Sequence, residues 1–173
     1  MTPSLRTAMR WWAAGLLAFG IVIAVSLPLS IDAVPRGIID HQRAGDAAVV
    51  DTIQLAWKAA GLLTLARIAM VADLIFIGIF GVGCVLAGLH YRARPQVVLR
   101  VLGWCTIVSG LIFLASDYGE TIAQVIEVMR FKGDDDLAAL AATLRPVKEV
   151  SWIAAFLAIL AALGVDRFST SAA

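Results

Sequence analysis

Four apolar blocks, each near the length of a bilayer crossing, constrain this chain more than any motif: Trp11 to Leu29, Ile68 to Leu89, Val101 to about Thr121, and Val150 to Val165. A helix needs roughly 20 apolar residues to cross about 30 Å of hydrocarbon. In that medium a lone apolar block satisfies its backbone only as a helix. The chain has 173 residues, of which 61% are hydrophobic and 16% charged. Four crossings therefore leave no length for a separate soluble domain. The expectation is one all-α integral membrane domain over residues 1–173, a four-helix transmembrane bundle with connections around 30–67 and 122–148. The net charge of +1 and the lack of a basic cluster with interleaved aromatics give no sign of nucleic-acid binding.

Arginines suggest the orientation. Arg6 and Arg10 precede the first block, and Arg92, Arg94 and Arg100 fill the short second connection. By the positive-inside rule these face the cytoplasm, which places both termini inside and the two longer connections outside, in a bacterial inner membrane. The first block is too long for a signal-peptide core, and no convincing small-residue cleavage site follows it. It is expected to stay as a span. Cys84 and Cys105 fall at similar depths and read as small apolar packing residues. His41 and His90 fall on opposite sides, which argues against a bis-histidine haem, and no cofactor is assigned.

The connections carry helical signals. Pro28 and Pro35 bracket a turn or extended segment. From Asp46, a capping residue, Val49, Val50, Ile53, Trp57 and Ala60 recur at helical steps. That spacing predicts an amphipathic helix at the outer interface with Trp57 as its anchor, and Gly61 allows a bend before the second span. The third helix should run on through Ile122, Val125, Ile126 and Met129 to a C-terminal cap at Gly133. Asp134, Asp135 and Asp136 should then start a short helix that Pro146 breaks or kinks. Small residues at four-residue spacing (Gly20 and Ala24; Gly83 and Ala87; Ala154, Ala158 and Ala162) favour close helix packing and leave room for an oligomer or a membrane-protein partner.

Against this background the ionisable residues inside the blocks stand out. The charge-free runs 74–89, 101–116 and 150–165 each hold 16 residues, only about 24 Å of helix. Asp73 and Asp117 should therefore sit about a helical turn below the outer boundary. Asp117, Glu120 and Thr121 share a helix face by their spacing, and antiparallel crossing brings Asp73 to the same height. Lys148 and Arg145 are the evident counter-charges, with Arg67 a weaker one. An intramembrane acid is a functional-site hypothesis by default, and Asp73, Asp117, Glu120 and Lys148 form the candidate cluster.

Three readings of that cluster stay open. It can be an ion-pair network that locks the bundle. It can be a site for a cation, a proton or a lipid headgroup in a non-enzymatic protein. Or it can serve a membrane-embedded enzyme acting on a lipid or lipid-linked substrate, through acid–base or metal chemistry; no His, Ser or Cys nucleophile joins it. An accessory subunit of a membrane complex is a further alternative.

The pattern Ala56-Trp57, Asp73-Leu74-Ile75-Phe76-Ile77, Asp117-Tyr118-Gly119-Glu120 and Lys148 resembles a group of uncharacterised bacterial four-span membrane proteins over about Ile53 to Leu160. Those proteins combine an acid in the second span, D-x-x-E in the third and a Lys before the fourth. The resemblance implies that these four positions belong together; it implies no activity. The group has Asn after the Glu, where this chain has Thr121, so the amide contact expected there has no donor at that position.

Overall fold

The computed structural model describes residues 2–170, with side chains to Phe168. Four long helices form an all-α bundle: α1 (Leu5–Ser26), α4 (Leu63–Arg92), α5 (Val97–Arg130) and α6 (Asp135–Thr170). Two short helices, α2 (Ile38–Gln42) and α3 (Ala47–Ala59), lie between α1 and α4. All four long helices are long and apolar enough to cross a membrane. The chain is thus a multi-pass membrane protein, with its amphipathic helix where the sequence pattern puts it.

Sequential neighbours pack side by side. At Gly83 a Cβ atom would come within 2.6 Å of the Trp12 amide, so α4 lets the backbone of α1 approach. The Gly83 and Ala87 face is therefore used inside the protein, whereas Gly20 and Ala24 look outward. Below the level of Asp73 the helices meet through rings. Trp152 packs on Phe19, Phe80 and Phe156 at centroid distances of 5.4, 5.8 and 5.5 Å. Phe113 closes edge-on against Phe80 at 5.3 Å. Cys84 is buried in this core while Cys105 is exposed on α5, so the two thiols do not form a pair.

The helices outrun the apolar blocks. α5 has 34 residues and α6 has 36, about 51 and 54 Å at 1.5 Å per residue. Most of the segment 122–148 is therefore two helix ends joined by a tight turn, not an open connection. The helical residues on either side of Pro146 make one helix, not a short helix and a span. The proline ring is exposed, so it is accommodated on an outer face at the loss of one backbone hydrogen bond.

The turn between α5 and α6 also departs from expectation. α5 ends at Phe131, in the left-handed region at φ 53°, and not at Gly133. Gly133 is needed for close approach: a Cβ there would lie 2.3 Å from the Ala47 carbonyl oxygen. Asp134 caps α6 by accepting from the amides of Asp136 and Leu137 at 3.1 and 3.2 Å. Asp135 reaches across to the Ala47 amide at 2.8 Å, while Asp51 accepts from the Gly133 amide at 2.6 Å. The α3 N-terminus and the α5–α6 turn thus hold each other.

The protruding ends of α5 and α6, with α2 and α3, form a cap. Gly61, at φ 73°, makes the bend between α3 and α4, a conformation that glycine adopts without steric cost. Trp57 is fully buried in the cap, not anchored at a membrane surface. Its Nε1 donates to the Leu29 carbonyl at 3.0 Å and its ring stacks on His41 at 5.5 Å. Val50, Ile53 and Gln54 join it as the buried face of α3, because here that face meets protein on both sides. The opposite end of the bundle holds the first and last described residues: His90 Nδ1 lies 3.0 Å from the Pro3 carbonyl, and Arg94 pairs with Asp166 at 2.6 Å.

Candidate functional site

The four residues singled out by spacing converge from three helices where the bundle meets the cap. Lys148 of α6 places Nζ 2.9 Å from Asp117 Oδ1 and 3.0 Å from Glu120 Oε1, both on α5. Asp73 of α4 joins through Thr121, whose hydroxyl lies 3.2 Å from Asp73 Oδ2 and 3.4 Å from Asp117 Oδ1. Thr121 thus bridges the two aspartates where an asparagine is expected. The amide contact comes instead from Gln124, whose Nε2 donates to Glu120 Oε1 at 3.0 Å. Tyr118 ties the same level together by donating to the Leu74 carbonyl at 3.2 Å.

Burial makes this geometry consequential. The Asp117 and Glu120 side chains are 4% and 0% exposed, and that of Lys148 is 13% exposed. Two carboxyl groups contact one ammonium, a third joins them through Thr121, and Glu120 Oε2 is buried with no hydrogen-bond partner. A buried charge is tolerable only when paired. With all four groups ionised the cluster would carry a net charge of −2. Full ionisation would thus leave two negative charges without a partner in a medium of low polarity.

The other proposed counter-charges serve elsewhere. Arg145 pairs with Glu149 one turn along α6 and donates to the Ile39 carbonyl and Gln42 Oε1 at 3.3 and 3.4 Å, fastening α2 to α6. Arg67 donates to the Val128 carbonyl at 3.1 Å. Ser116 and Ser151 donate to carbonyls of their own helices, so neither is poised as a nucleophile. Among the described residues no three His, Cys, Asp or Glu side chains converge as metal ligands; where Asp117 and Glu120 converge, the Lys148 ammonium already sits.

A second tier of buried polar groups continues the site into the cap. Gln124 and Glu127 are each 1% exposed and extend the face of Asp117 and Glu120 along α5. Glu127 Oε1 accepts from the Asp134 amide at 3.1 Å, and its Oε2 is buried without a partner. From the small helices come Gln54 and His41, whose Nε2 atoms are 3.4 Å apart. Burial brings the His41 imidazole from 6.5 down to about 4, since desolvation disfavours its charged form. The signal for Gln124 and Glu127 lay in the three- and four-residue steps that already linked Asp117 to Glu120. The apolar set of Ile122, Val125, Ile126 and Met129 drew attention to the other side of α5, where Ile122 and Met129 are exposed.

No family model, curated protein or solved structure matches the chain, so the site is read from its own chemistry.

Proposed function

We propose that this is a small, non-enzymatic protein of the bacterial inner membrane, with both termini cytoplasmic, whose buried cluster holds an exchangeable proton. The same cluster ties α4, α5 and α6 together. One observation carries the reading: two carboxyl groups contact a single ammonium, a third joins them through Thr121, and Glu120 Oε2 is fully buried without a partner. A bound proton lowers the uncompensated charge and can bring a donor to that oxygen. Lys148 occupies the point where two carboxylates converge, which favours a proton over a metal cation. Because the protonation states are shared, the proton belongs to the cluster and not to one residue.

Arg6, Arg10, Arg92, Arg94 and Arg100 gather at the end that holds both termini, which supports the orientation. Membership of the four-span group that the motifs resemble is part of the same proposal. So is a bilayer-embedded life with a partner chain or second copy on the outward small-residue face of α1.

Infrared spectroscopy of the full-length protein in lipid tests the proton. A protonated-carboxyl C=O band is expected at neutral pH and should be lost or shifted in Asp73→Asn, Asp117→Asn or Glu120→Gln. Absence of the band from the unsubstituted protein overturns the reading. Thermal stabilisation by Mg²⁺ or Ca²⁺ that these substitutions abolish would make the cluster a cation site instead.

A further inference from the structure

Glu120 is the fully buried member of the proton site, so its proton needs a route, and α5 carries one. Among the described residues only two carboxylate oxygens are buried without a hydrogen-bond partner, Glu120 Oε2 and Glu127 Oε2. They are seven residues apart on one helix, about 10.5 Å along its axis, and seven residues fall 20° short of two full turns. The two glutamates therefore share a face. Gln124 lies between them on that face and is bonded to Glu120.

Glu127 is also the member of this column that reaches an opening. It lines a cavity of about 70 Å³ with Arg130, Lys132, Gly133, Asp134 and Leu137. That volume has room for a water or two, each of which takes up roughly 30 Å³ in the liquid, and polar partners line it. The structural task of Glu127, accepting from the Asp134 amide, uses Oε1 alone and would be met equally by glutamine. The second oxygen is left over. Asp51 and Asp134 are the nearby acids that act on it, and Arg130 and Lys132 are the bases on the cavity wall.

We propose that Glu127 is the group through which protons pass between the cap cavity and the Asp73–Asp117–Glu120–Lys148 cluster. This rests on the proton-holding reading above. In the inward step, a hydronium in the cavity gives its proton to the Glu127 carboxylate and becomes water. Glu127 then gives its proton to a bridging water beside Gln124, that water passes one of its own protons to the Glu120 carboxylate, and Glu127 is left as carboxylate. The outward step is the reverse, and no other bond changes.

The test follows the cluster's C=O band by infrared spectroscopy after the full-length protein, in lipid, is mixed into D₂O. The band is first assigned with Glu120→Gln and Asp117→Asn. In Glu127→Gln it should keep its intensity while its isotope shift slows on the order of 100-fold, the lower end of what a positioned proton-transfer group contributes. Glu127→Asp should recover part of the rate. An assigned band with unaltered exchange in Glu127→Gln overturns the route but spares the proton site; no band at all overturns the site itself. If Glu127→Gln does not fold, Leu137→Trp, which adds bulk at the cavity lining, should slow the exchange, and an unaltered rate there overturns the route equally.

Discussion

The half of the bundle nearer the termini and the half nearer the cap are made from the same long helices but held by different chemistry. Toward the termini, α1, α4, α5 and α6 meet through Phe19, Phe76, Phe80, Phe113, Trp152 and Phe156, with glycines setting the closest approaches. Toward the cap, the contacts are Lys148 to two acids, Thr121 between two aspartates, Gln124 to Glu120, and Arg145 to α2. Lipid tails are as apolar as the rings, so burying the rings in protein gains little by transfer, and close packing must hold that half. The polar contacts of the other half have no substitute in lipid. The first half should therefore respond to shape and the second to charge.

The sharpest way to break this contrast is Lys148→Met. It leaves Asp117 and Glu120 without their ammonium, and removing one partner of a buried pair costs about 3–5 kcal/mol. The measurement is the unfolding midpoint in detergent, where a large drop is expected, partly recovered by adding Glu120→Gln. A Lys148→Met protein as stable as the parent would show that the cluster does not hold the helices.

Acid is the next lever, acting in the cap. His41 is neutral in the fold and protonates only near pH 4, whereas in the unfolded chain it protonates near 6.5. Between these values the unfolded chain binds more protons, so stability falls as pH drops. His41's contribution is whole above about pH 6.5 and lost by about pH 4, a change on the order of 3 kcal/mol. Comparing unfolding midpoints of the parent and His41→Gln across that window should show a slope that the variant lacks.

Phe80→Ala should have the smallest effect, about 2 kcal/mol. A cavity forms, but the transfer part of the usual core penalty is weak against lipid. Its loss should be the same at pH 5 and pH 8, and a pH-dependent loss would erase the division between the halves.

Much of the cap-end site is legible in the sequence because bilayer thickness turns sequence position into height. Asp73, Asp117, Glu120 and Lys148 could be placed together by counting residues, and all four meet. What escaped was the direction of faces outside the apolar blocks. In a soluble helix, Ile122, Val125, Ile126 and Met129 would mark the inside. Here Ile122 and Met129 are exposed while Gln124 and Glu127 are buried, because bonds to Glu120 and to the Asp134 amide hold the two polar side chains inward. Trp57 and the continuous α6 escaped for a related reason. Each depends on packing partners far along the chain, Leu29 for the indole and the α3 N-terminus for the α5–α6 turn.

The hydrogen bond from the Ala47 amide to Asp135 spans 88 residues of sequence. Its converse, from Gly133 to Asp51, spans 82. During synthesis α3 is therefore made long before the groups that clasp it exist. Two more helices must emerge and cross before the clasp can close. Completion of the cap thus reports that the second and third crossings have been made. A chain that stopped after α4 would carry the Ala47 amide and the Asp51 carboxylate without these partners.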